Sequence, residues 1–75
     1  GHADVRLFPN PAHDHIIVLC EGSADIRVHD VAGRMILEQR FTNTTTIDVS
    51  GMPAGLYVYE LMREGRIAQG KFIRE

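Results

Sequence analysis

The spacing of turn formers limits this chain more than any other feature. Breakers recur at Pro9-Asn10-Pro11, Glu21-Gly22-Ser23, Ala32-Gly33, Thr42-Asn43-Thr44, Ser50-Gly51 with Pro53-Ala54-Gly55, and Glu64-Gly65. Short intervals between such clusters read as successive strands. Seven candidates lie between them, at 5–8, 15–20, 25–29, 34–41, 45–49, 56–62 and 66–73. Several alternate as a strand with one buried face must: Ile26 and Val28 flank Arg27, Ile47 and Val49 flank Asp48, and Tyr57, Tyr59 and Leu61 share one parity.

The stretch 34–40 is rich in helix formers, yet its context favours a strand. Asp30-Val31-Ala32-Gly33 resembles a hairpin loop in which Gly33 takes the positive φ of a type I turn plus bulge. Residues 25–41 then form one hairpin, and 56–73 form a second across Arg63-Glu64-Gly65. Seven short strands with tight turns predict an antiparallel β-sandwich or small barrel. The expected core is Leu7, Ile17, Leu19, Ile26, Val28, Ile36, Ile47, Val49, Tyr57, Tyr59, Leu61 and Phe72.

A chain of 75 residues holds one core and sits near the lower edge of what folds unaided. Gly1 to Asp4 read as a linker stub or cloning scar, and residues 5–75 as the domain. Net charge is -2 with both signs interspersed, so no basic stripe offers itself to phosphates and nucleic acid is not an expected partner. No apolar run reaches the length that spans a bilayer. Cys20, the sole cysteine, lies in the run Ile16-Ile17-Val18-Leu19-Cys20 and reads as a buried thiol with no cationic neighbour to activate it.

Clusters that could carry chemistry are weak. His13-Asp14-His15 places two imidazoles on one strand face, and His29 is a conceivable third ligand. Solvated turn residues followed by a strand start explain the same letters without a metal. Ser23 and Ser50 sit in turns without a strand-to-helix elbow, and Asp30 and Glu38 read as solvated strand-edge carboxylates. Gly51 and Gly55 lack the following helix and adjacent lysine of a phosphate loop. Asn43-Thr44-Thr45 matches a glycosylation sequon of a kind that arises readily in Thr-rich turns. The expectation is a non-catalytic domain without cofactor or metal.

Four stretches are more specific. They are Leu7-Phe8-Pro9-Asn10-Pro11-Ala12, Val28-His29-Asp30-Val31-Ala32-Gly33-Arg34, Met52-Pro53-Ala54-Gly55-Leu56-Tyr57 and Lys71-Phe72-Ile73-Arg74-Glu75. In this order the chain resembles the type A C-terminal sorting domain of type IX secretion, from about Leu7 to the last residue. The resemblance implies an immunoglobulin-like β-sandwich at the end of a larger cargo protein. Its function would be to address the cargo, in transit through the periplasm, to an outer-membrane translocon. A surface sortase would then remove the domain, leaving the cargo on the cell surface or secreted.

Within the matched motifs, Pro9 and Pro11 are expected to end the first strand and keep it from extending a sheet. Pro53-Ala54-Gly55 leads tightly into the Tyr57 strand, whose ring should pack beside Phe72. Lys71, Phe72, Ile73, Arg74 and Glu75 form the segment a translocon would read; as plain physics, its charges also serve to discourage edge-to-edge pairing. His13-Asp14-His15 and Cys20 depart from the family pattern outside the motifs, and Glu75 stands where a basic residue is also common. Exposed edge strands would allow a homodimer by pairing or exchange. The alternative function is a fibronectin type III-like adhesion or carbohydrate-binding module, which ordinarily presents an exposed aromatic platform. A structural spacer is a third.

Overall fold

A computed structural model of the protein describes residues 5–75, and its regular elements are all extended. They are β1 (Arg6–Phe8), β2 (His15–Asp30), β3 (Met35–Asp48), β4 (Gly55–Arg63) and β5 (Arg66–Arg74). All strand pairs are antiparallel, in the order β1-β2-β4-β5, with β3 along the opposite side of β2.

The domain therefore has five strands where the turn signals predict seven. Segments 15–20 and 25–29 merge into β2, and 34–41 and 45–49 merge into β3. The two turn signals responsible face each other: the register runs Cys20↔Asn43 and resumes at Ser23↔Thr42. Gly22 (φ 87) and Asn43 (φ 67) are left-handed, and the Gly22 amide donates to Asn43 Oδ1 at 2.9 Å. Two residues able to take positive φ at opposed positions produce a bulge in one long hairpin, which sequence spacing does not distinguish from two separate turns.

The bulge bends the sheet sharply. A straight strand of 16 residues would span roughly 50 Å at about 3.3 Å per residue, whereas the longest dimension of the domain is 34 Å. Gln39 Nε2 donates to Thr45 Oγ1 at 2.6 Å, although the two sit on either side of Asn43 in the same strand. Hydrogen bonding connects all five strands, so where two stacked sheets are expected there is one antiparallel sheet folded over on itself.

Both halves of β2 point the same parity inward: Ile16, Val18 and Cys20 before the bulge, Ala24, Ile26 and Val28 after it. With Ala12, Phe41, Ile47, Val49, Tyr57, Leu61 and Phe72 they form one contiguous core. Ile17 and Leu19, expected inside, are half-buried instead. The run from Ile16 to Cys20 is apolar at every position, so its alternation carries no face information. Leu7, Ile36 and Tyr59, also expected inside, are partly buried and pack against the core. Cys20 is buried as expected.

Candidate functional site

The two hairpins bring the motifs to one end of the domain. Asp30 pairs with Tyr57 across β2 and β4, and Tyr57 pairs with Phe72 across β4 and β5, so three of the motifs supply consecutive positions of one row. The Tyr57 and Phe72 rings stack with centroids 5.5 Å apart. Tyr57 Oη donates to the Pro53 carbonyl at 2.5 Å, tying the ring to the Met52–Gly55 turn that introduces its own strand. A buried phenol with a backbone partner meets the requirement that its hydroxyl be satisfied.

The β2–β3 turn is organised by Asp30 more than by glycine alone. Gly33 adopts φ 87, and its amide donates to the Asp30 carbonyl at 3.0 Å. Asp30 Oδ1 accepts the amides of Ala32 at 3.0 Å and Arg34 at 2.9 Å, and Oδ2 lies 3.2 Å from Arg34 Nε. Hydrogen bonding from the Arg34 amide, helped by the Ala32 amide and the Arg34 charge, holds the Asp30 carboxyl below its ordinary value. The carboxylate expected to be solvated at a strand edge is the keystone of the turn.

The first motif clasps the last. Asn10 Oδ1 accepts the Ile73 amide at 3.0 Å, and Asn10 Nδ2 approaches the Lys71 carbonyl at 3.4 Å. Ala12 donates to the Ile73 carbonyl at 2.7 Å and accepts the Glu75 amide at 2.9 Å, forming a parallel bridge beside Arg74. Pro9 and Pro11 end β1, but they do not isolate the segment from a sheet, because Ala12 immediately joins the edge of β5. Strand geometry explains the fit: Phe72 and Arg74 bond inward to β4, leaving the backbone groups of Lys71 and Ile73 turned to the open edge where Asn10 and Ala12 meet them.

Arg74 is held from the other side. Its Nε donates to the Val49 carbonyl at 3.0 Å and its Nη2 to the Ser50 carbonyl at 2.9 Å, while Nη1 reaches the Glu75 carbonyl. The terminal segment thus divides by role. Phe72 is core, Arg74 is a clamp, Lys71 and Ile73 face solvent, and Glu75 Oε1 lies 3.7 Å from His13 Nε2. Acceptor carbonyls leave no trace in a sequence, so the Arg74 clamp was beyond sequence reasoning; Asn10 was visible as a motif residue but not as a clasp.

The histidines are dispersed. His13 faces Glu75, His15 Nδ1 lies 2.7 Å from Asp14 Oδ1, and His29 Nδ1 lies 4.0 Å from Glu60 Oε1. His2 lies outside the described residues. Among the described residues no three His, Cys, Asp or Glu side chains are placed to share a metal ion. Asn43 of the sequon is engaged by Gly22 at the bulge. Tyr57 is buried and Tyr59 lies over Gly70, so neither offers the flat exposed ring that glycan stacking uses.

No curated protein sequence matches this chain. A family described as secretion system C-terminal sorting domain does match, over residues 6–75, and this span includes all four motifs and both clamps. With essentially the whole described domain covered, the chain belongs to the type IX secretion C-terminal sorting domain family.

Proposed function

We propose that residues 5–75 are the export address of a longer cargo protein, and that the type IX outer-membrane translocon reads the end of the domain bearing residues 71–75. The cargo passes through the periplasm and reaches the cell surface or the medium, and a surface sortase removes the domain. The domain acts as a substrate of this machinery and contributes no catalytic group.

One observation carries the reading: residues 71–75 are clasped by Asn10 and Ala12 on one side and by the Val49 and Ser50 carbonyls on the other. Groups so far apart in sequence meet only after folding, so the machinery reads a folded surface and not a linear tail. Backbone clasping also leaves the Lys71 side chain in solvent, where a receptor can reach it.

Three periplasm-targeted reporters test this in a type IX-competent bacterium: one carrying residues 1–75, one carrying only 71–75, and one carrying neither. The full domain is expected to bring the reporter to the surface, with the other two retained in the periplasm. Retention of the full fusion overturns the sorting role, and surface display of the 71–75 fusion shows that the address is linear. Deleting 71–75 from the domain is less informative, because it also removes the buried Phe72.

A further inference from the structure

The outward face of the β2–β4–β5 half is divided by a polar row. Arg27 Nε meets Glu38 Oε2 at 2.6 Å, Arg27 is the cross-strand neighbour of Glu60, and Gln69 Nε2 donates to Glu60 Oε2 at 3.2 Å. On the motif side of this row the face turns apolar. Leu56 and Ile73 are direct cross-strand partners, 41% and 46% exposed. Val58 pairs with Lys71 and with His29, His29 pairs with Met35, and Val31 projects from the adjoining turn; Met35 is 51% and Val31 74% exposed. A shallow groove runs between the turn and the hairpin.

Single exposed apolar residues are ordinary, but a contiguous set drawn from three strands and a turn is not. None of the five supports the core from this side, and polar side chains would serve a sheet face equally well. The charges around the shelf are unevenly matched. Asp30 is paired with Arg34, and Glu60 adjoins both Arg27 and His29. Lys71, the only lysine of the sequence, makes no ion pair with any described residue and lies on the groove wall. The shelf therefore combines an apolar floor with one uncompensated cation at its rim, which complements an apolar side chain flanked by a carboxylate.

We propose that the shelf formed by Val31, Met35, Leu56, Val58 and Ile73, with Lys71 at its rim, docks a segment of the export machinery that presents an apolar anchor beside an acidic residue. The inference rests on the sorting role proposed above and extends the read surface beyond residues 71–75 to the β2–β3 turn. Val31, about forty positions upstream of Lys71, becomes part of the same contact because the Asp30-centred turn stands beside the β4–β5 hairpin.

The test uses the 1–75 reporter fusion with V31D, K71E and K71R, and with I67D as a control on the same strand and face but beyond the polar row. Surface display is measured together with the thermal midpoint and the solution mass of each purified domain. V31D, which sets a charge on the apolar floor, and K71E, which reverses the charge at its rim, are expected to lower display by about tenfold or more with unchanged midpoints. I67D should match the parent, and K71R, which keeps the charge, should display well above K71E. Equal display of parent, V31D and K71E overturns the shelf while leaving the sorting role intact, and failure of the parent itself to reach the surface removes the sorting role. A parent that is dimeric and becomes monomeric with V31D also overturns the proposal, since the occupant is then a second copy of the chain. Should V31D lower the midpoint, K71E decides alone, because that side chain is exposed.

Discussion

Asn10 accepts the backbone amide of Ile73 at 3.0 Å, joining the entry to β2 to the last strand across nearly the whole chain. Its amide nitrogen turns toward the Lys71 carbonyl, so one carboxamide serves two backbone groups of an edge that would otherwise end in water. N10A removes both contacts. A net loss of about 1 kcal/mol is expected, as for an ordinary hydrogen bond, lowering the midpoint by about 4–8 °C in a domain of this size. Amide exchange at Ile73 and Glu75 should quicken while the β2–β3 ladder stays protected. Uniform acceleration across the domain would mean that Asn10 supports the whole fold and not the clasp.

The hairpins were legible because their turns carry chemistry in single letters, Gly33 in one and Glu64-Gly65, both left-handed, in the other, whereas the hold of the Asp30 carboxylate on the first turn was not. The merging of seven strands into five was not legible, because Gly22 and Asn43 are turn formers whether they close a loop or bulge a strand. The face of β2 around Ile17 was misread since every neighbour is apolar, whereas Ile26 and Val28, separated by the exposed Arg27, were read correctly. At the candidate site, Tyr57 beside Phe72 was expected within the matched motifs; the Arg74 clamp was not, because its partners are the carbonyls of Val49 and Ser50.

Tyr57 and Phe72 carry much of the core at the motif end. F72A is expected to cost about 3–5 kcal/mol, comparable with the whole stability of a small domain, and should leave the chain largely unfolded by circular dichroism at 25 °C. Y57F keeps the stacked ring and loses only the bond to the Pro53 carbonyl, for a cost of about 1 kcal/mol. A folded F72A of near-parental midpoint would show that Phe72 contributes little to the core.

Gly70 faces Tyr59 across β4 and β5, and a methyl group there would overlap the phenol oxygen and the ring carbon bearing it. The ring covers the glycine backbone, so G70A must displace it, at about 1–3 kcal/mol. In a Y59A background the same change should cost much less, since nothing remains to displace. Denaturant midpoints of the four variants in this cycle give the coupling directly. Additive effects would place the ring elsewhere.

Acid should weaken the domain through its turn carboxylates. Asp30 is held below its ordinary value of 3.8 by the Arg34 and Ala32 amides and the Arg34 charge, and Asp48 is lowered by the Ser50 hydroxyl and amide. A carboxylate whose folded pKa is depressed contributes stability that is full above the unfolded value and is lost as pH falls through the folded one. The midpoint should therefore hold steady from neutrality to about pH 4 and decline below it. D30N replaces the carboxylate with an amide that titrates nowhere in this range and offers a single oxygen to the turn. Its midpoint should lie below the parent's at neutral pH, and the two curves should converge as the parent's Asp30 protonates. Parallel curves down to pH 2 would show that Asp30 has the same pKa folded and unfolded, and that the turn does not depend on its charge.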